Sequence, residues 1–300
     1  MTIRDVISGW AKAPLIFAGP GFAGRYTGMP GREGLAEHFA REIEDDPKVM
    51  SEYFSKARVP GKSLDLLPIA AGLIEQEYNA LWQQDPAIRR TDTECASPFR
   101  TELSTYLNSF GNITEERRGE YELLKSLCGT GISGFITTNY DTFLETLAPD
   151  FACRYGQNLI RHHVRGKSEI LKILGSASDP ESILITQKDY DAFDKEKDLL
   201  IRNLLPVFLE YPVIFMGYST RNNAYRIIDW IATGLADDRM KAFENRFAIV
   251  SVTTAISEPC VEIIDDYVNM SDEAHFHVAE IDLQDYSQLY SELQSKLPEW

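Results

Sequence analysis

Four short apolar runs, at residues 14–18, 132–137, 213–216 and 246–252, constrain this chain more than any other feature of its sequence. Runs of this length, without polar alternation, are the pattern of strands buried on both faces of a parallel sheet. Helical-looking sequence separates them, so the expected unit is βαβ and the expected class is α/β, a doubly wound, mostly parallel sheet. The first three runs end in turns that contain Gly or Asn: GPG, TNYD and GYS. Ligands of open parallel sheets bind beyond the carboxyl ends of the strands, so these three turns are expected to converge on one crevice.

Between the first and second runs lie about a hundred residues with several helical patterns and no convincing strand. Leu66, Ile69, Ala70, Leu73, Ile74, Tyr78, Leu81 and Trp82 recur at helical spacing. This stretch predicts a helical insertion over residues 32–125 within one Rossmann-type domain covering residues 1–300. Aromatic stripes of this kind normally face a core, and Tyr78 and Trp82 are read that way. Further helices are expected over 189–210, over 223–235 with Tyr225, Ile228, Trp230 and Ile231 buried, and over 287–297. A late strand is expected over 275–281.

The chain has 46 acidic and 30 basic side chains, a formal net charge of -16, which repels polyanions and argues against nucleic acid as a direct partner. Cys95, Cys128, Cys153 and Cys260 are widely spaced and form no CxxC pair, so no zinc ribbon or redox motif is expected and a reducing compartment fits best. The apolar run near the N-terminus is broken by Gly19 and Pro20, too early for a membrane span. A cytoplasmic, membrane-free protein is the resulting expectation.

Gly19, Gly21, Gly24 and Gly28 crowd the first turn, where missing Cβ atoms let backbone amides approach a phosphate. The first three have GxGxxG spacing, but Gly28, Pro30 and Gly31 interrupt the helix that such a turn should open, and a purely structural turn is an equal reading. Segment 136–141, ITTNYD, is more informative. A β-branched strand ends there in Asn139, which can donate and accept, and in Asp141, which can accept from ribose hydroxyls or cap the next helix. His162 and His163, flanked by Arg161 and Arg165, have the look of an exposed loop. His275 and His277 share one strand face but lack further spaced ligands, so no metal is expected. The acidic stretch 189–198 reads as a solvated helix face.

In order, GPGFA with a following GMP, then ITTNYD, then KILGSASDPESILITQKDY at 172–190, then IFMGYS at 214–219, resemble the motifs of the SIR2-like family. They are most similar to its bacterial branch associated with NAD+ hydrolysis in antiphage defence. The resemblance implies that Gly19, Gly21 and Phe22 hold NAD+ phosphates, and that Asn139, with Asp141 in support, sits beside the nicotinamide ribose and the attacking water. It implies further binding roles for Gly175, Ser176, Gly217 and Ser219. It also implies a homo-oligomer or a partner protein within a defence complex.

Three polar positions of the family pattern are apolar or displaced. The histidine of KIHGS is Leu174 here, the serine of the first turn is Ala23, and the Asp and Asn after GYS fall at or near Asn222 and Ala224. Deacylases of the family carry a four-cysteine zinc module that this chain cannot build. Two functions follow as expectations. One is an NAD+ glycohydrolase, slowed by loss of a general base whose absence costs roughly 10²- to 10⁴-fold. The other is a non-catalytic subunit that binds NAD+, ADP-ribose or another nucleotide.

Overall fold

The computed structural model describes residues 1–58, 65–85, 97–219, 221, 224, 227–228, 245–268, 275–297 and 300. The chain begins with α1 (Ile3–Ser8), β1 (Leu15–Ala18) and α2 (Gly21–Thr27). Helices α3 (Arg32–Ile43), α4 (Val49–Ala57), α5 (Leu66–Gln84), α6 (Pro98–Asn108) and α7 (Arg118–Leu127) follow. Then come β2 (Gly134–Thr137), α8 (Phe143–Leu147), β3 (Ala152–Tyr155), α9 (Gln157–Arg161), β4 (Glu169–Lys172) and α10 (Gln187–Glu210). The last part contains β5 (Val213–Met216), β6 (Phe247–Val252), β7 (Cys260–Val268), β8 (His275–Leu283) and α11 (Tyr286–Lys296).

The strands form one sheet in the order β3-β4-β2-β1-β5-β6-β8-β7. Every neighbouring pair is parallel except β7 and β8, which run antiparallel. This is the expected α/β, Rossmann-like architecture. Side chains of β1 alternate between the two faces, as strand geometry requires. Leu15 and Phe17 pack with Val213, Phe215 and Phe208 on the α10 side, while Ile16 and Ala18 pack with Phe135, Ile214 and Met216 on the side of α7 and α11. All four residues of β1 are buried, which is why the strand reads as a continuous apolar run.

Helices α3 to α6 hold a third apolar cluster that includes Leu35, Phe39, Ile74, Tyr78, Phe99 and Leu103. Tyr78 is fully buried there, and Trp82 packs against it from a partly buried position. The same cluster takes in Tyr140, Ala177 and Ile183, so the helical layer sits over the carboxyl ends of β2 and β4. The chain leaves β1 for β2 on one side and returns to β5 on the other, so the strand order reverses at β1. That reversal is where an open parallel sheet leaves a crevice.

Several local expectations change. The first turn does open a helix directly: α2 runs two turns before Gly28 ends it in a left-handed conformation, φ 73°. The helix after ITTNYD is only five residues long. Strands β3, β4 and β7 were not expected. In β4 the charged ends of Glu-Ile-Leu-Lys hide a fully buried strand, because both charges are matched internally. Asp189 does not belong to a solvated face. It is half-buried, caps α10 through Thr186 and pairs with Arg100 at 2.9 Å. The helix expected over 223–235 lies mostly outside the described residues, as do Cys95 and Asn222. Among the described residues no helix is long and apolar enough to cross a membrane.

Candidate functional site

A cleft of about 670 Å³ opens between the carboxyl ends of the central strands and the helical layer. That volume lies within the range of small-molecule and cofactor sites. Asn139, Tyr140, Asp141, Leu174 and Tyr218 line its sheet side, while Gly31, Arg32, Leu35, Tyr190 and Phe193 line the helical side.

The NYD turn is held from beneath by a buried lysine. Lys172, fully buried at the end of β4, donates to the carbonyls of Tyr140 at 3.0 Å and Asp141 at 2.6 Å, to Glu145 Oε1 at 2.8 Å and to Ser176 Oγ at 2.9 Å. A buried ammonium is tolerated only with such partners, so the four contacts fix the turn to the segment that follows β4. The amide of Ala177 adds a hydrogen bond to the Tyr140 carbonyl at 2.7 Å, and the Tyr140 hydroxyl donates to the Leu184 carbonyl at 2.7 Å.

Asn139 is anchored at both ends. Its backbone N–H donates to Thr137 Oγ1 at 3.0 Å, and its Nδ2 donates to the Gly19 carbonyl at 3.0 Å. The side-chain Oδ1 thereby remains as the acceptor for a ligand or a water in the cleft. Asp141 accepts the Phe143 N–H on Oδ1 at 3.0 Å, just ahead of Thr142, the N-cap of α8, and its buried Oδ2 has no hydrogen-bond partner. One oxygen thus serves the entry to α8, and the other is buried without a partner in a residue that lines the cleft. Burial pushes its pKa up, an effect the Lys172 ammonium only partly opposes.

The glycine-rich turn is spent on the protein itself. The Gly19 amide donates to Met216 O at 2.7 Å, Gly21 to Gly217 O at 2.8 Å and Phe22 to Gly19 O at 3.0 Å. A Cβ on Gly19 would meet Gly217 O and the Tyr218 ring at 2.8 Å, so the space left by the missing side chain is filled by the GYS turn. The Phe22 side chain is fully buried, edge-on to Tyr26 and Phe143. Gly217 has φ 78° and would place a Cβ 2.6 Å from the Phe22 nitrogen, so only glycine fits.

Other expected site residues lie apart from the cleft lining. Gly175, at φ 99°, packs its α-carbon against the Ser182 carbonyl, and Ser176 is fully buried beside Lys172. Ser219 is exposed. Leu174 does line the cleft. Ala23 and Ala224 are buried, and His162 and His163 are exposed away from the lining. The residues that sequence reasoning missed are Tyr140, Tyr190, Tyr218 and Arg32. Tyr140 was within the chosen motif, whereas Arg32 lies beyond it, after the GMP tripeptide, with no local pattern to mark it. Among the described residues no group of three or more His, Cys, Asp or Glu is placed to hold a metal ion.

Residues 133–255 match the family model of the SIR2-like domain. That span contains the NYD turn, the segment after β4 and the GYS turn, and it supports the SIR2-like resemblance of these motifs. Comparison with curated proteins gives no match.

Proposed function

We propose that this chain binds NAD+ in the cleft and hydrolyses it to nicotinamide and ADP-ribose, as a component of antiphage defence. The observation that carries the reading is the NYD turn itself. Inside the stretch that matches a SIR2-like domain, Asn139 keeps an acceptor for the cleft and Asp141 keeps a buried oxygen without a partner. In the reaction, the bond from the ribose carbon to nicotinamide breaks with its electron pair leaving on the neutral nicotinamide. A water supplies the hydroxyl to that carbon and releases a proton. Asn139 Oδ1 orients the ribose hydroxyls and the water, and fixed dipoles of this kind stabilise the developing positive charge. Gly19, Gly21, Phe22 and Gly217 build the backbone floor on which Asn139 is fixed, and Ser176 anchors the turn through Lys172, with Gly175 packed against Ser182. A homo-oligomer or a partner subunit completes the proposed defence complex in the cytoplasm.

Leu174 favours a second reading. It lines the cleft, at the position the resemblance gives to the family's histidine, and it can neither accept nor donate a proton. A chain of this kind would bind NAD+, ADP-ribose or a related nucleotide as a regulatory subunit. NAD+ consumption by the full chain, isolated with its native neighbours, separates the two. Turnover that Asn139→Ala lowers at least about 10²-fold supports hydrolysis. Binding without turnover, with cleavage gained in Leu174→His, establishes the regulatory reading. Intact NAD+ in both, with no binding, removes NAD+ altogether.

A further inference from the structure

The two turns beneath Asn139 are held from behind by two consecutive residues near the end of the chain. Tyr286, the first residue of α11, is buried, and its hydroxyl oxygen accepts the Gly217 N–H at 3.0 Å. Its neighbour Asp285, the N-cap of α11, accepts from Arg25 of α2 at 2.9 Å and from Arg117 at 3.0 Å. Arg25 also meets both oxygens of Glu120 at 2.6 Å and lies over the Tyr286 ring, 4.6 Å from its centroid. Phe22 and Tyr290 flank the same ring, at 6.4 Å and 6.2 Å between centroids. The phenol is thus fixed by three neighbours, with its oxygen on the GYS turn. Both residues lie outside the stretch 133–255 that matches the family model.

Hydrogen bonds carry that position to the cleft. The Gly217 carbonyl accepts the Gly21 N–H at 2.8 Å, and the Gly19 carbonyl accepts Asn139 Nδ2 at 3.0 Å. The path from the phenol to the Asn139 side chain therefore runs through Gly217 and residues 19–21. Gly217, at φ 78°, has the conformational freedom to rotate if its amide loses its acceptor. A donor left without a partner away from water is unfavourable, so the turn would shift to find one. The Asn139 amide is planar, and any movement of Nδ2 with the Gly19 carbonyl also redirects Oδ1.

We infer that Tyr286 is a positioning residue: its hydroxyl fixes the GYS turn, and through it the first turn and the plane of the Asn139 amide, so that Oδ1 stays directed as the acceptor of the cleft. Tyr286 does not line the cleft itself. The inference deepens the proposed reaction and rests on Asn139 acting in it, while the bond path can be tested whether or not NAD+ is cleaved.

Tyr286→Phe removes the hydroxyl and keeps the ring. Tyr290→Phe, which removes the hydroxyl that shares a hydrogen bond with Tyr26 at 2.9 Å, is the control for a general loss in the same core. In NMR spectra of the full chain carrying isotope-labelled asparagine, the Asn139 side-chain amide is identified by its loss in Asn139→Ala. Its signal should move in Tyr286→Phe and stay in place in Tyr290→Phe. NAD+ turnover by the full chain with its native neighbours should show kcat about tenfold lower in Tyr286→Phe with KM within about twofold, and neither changed in Tyr290→Phe. An Asn139 signal that Tyr286→Phe leaves in place overturns the inference, and so do equal shifts in the two variants. Fast solvent exchange of the Gly217 amide in wild type overturns it as well, by a measurement that needs no variant to fold. In a wild type that cleaves NAD+, unchanged kcat beside a moved signal also overturns it. A wild type that leaves NAD+ intact ends the hydrolysis reading, and the Asn139 signal alone then decides this one.

Discussion

At the scale of single residues, the site is defined by groups whose bonding is left incomplete. Asp141 is buried with one oxygen unpartnered, and burial raises its pKa above the ordinary aspartate value. The folded state therefore holds this proton more tightly than the unfolded chain does. The stability it contributes is fully present below the ordinary aspartate range and is lost as pH rises through the raised value. Asp141→Asn keeps the acceptor for the Phe143 amide and removes the buried charge. Its thermal midpoint near pH 8 should equal or exceed that of wild type by up to about 3 °C, with a flatter dependence on pH. The same variant should bind NAD+ at least about tenfold more weakly. Differential scanning calorimetry across pH, beside binding titrations, checks both; a variant that melts well below wild type would show the carboxylate to be structural. Asn139 and Asp141 were legible in sequence because a β-branched strand ends abruptly in them. Arg32 was not, because its place on the cleft depends on how α3 packs over the sheet, which no local pattern records.

At the scale of elements, one arginine joins the helical layer to the sheet unit. Arg100 on α6 meets Glu75 of α5 at 2.8 Å and Asp189 of α10 at 2.9 Å, and it donates to the Ile183 carbonyl. Its side chain is 11% exposed, so these charges lie mostly out of water. Arg100→Met would leave two carboxylates without their cation, at a cost of roughly 3 kcal/mol. Urea unfolding should show the loss in midpoint. Arg100→Lys should restore less than half, since an ammonium cannot span both carboxylates with a planar fork. Strands β1, β2, β5 and β6 could be read in advance because their side chains are apolar and buried. The charges of β4 looked like surface. Glu169 is answered by Arg154 at 2.8 Å and by the amides of Arg165 and Gly166, and Lys172 by four oxygens, so the pairing that permits burial comes from residues outside the strand. The β7 edge follows the same logic: it pairs with β8 alone, and pairing is invisible within either segment.

At the scale of the whole molecule, the formal charge of -16 sets a repulsion that every compact arrangement must withstand. Screening should relieve it. Raising salt from about 0.02 M to about 0.3 M shortens the Debye length severalfold and should lift the thermal midpoint by about 2–4 °C. A falling midpoint would mean that ion pairs such as Arg25 with Glu120 outweigh the general repulsion. The two turns at the centre of the sheet also bind distant parts of the sequence into one inheritance. A methyl group on Gly19 or Gly217 strikes the opposing backbone or the adjoining Tyr218 ring, and one on Gly21 would press on the Gly217 carbonyl at 3.1 Å. Neither turn is free to drift alone. Exchange of the first turn between related chains should succeed only when the GYS turn travels with it, so these two stretches form one unit of variation, though most of the chain separates them.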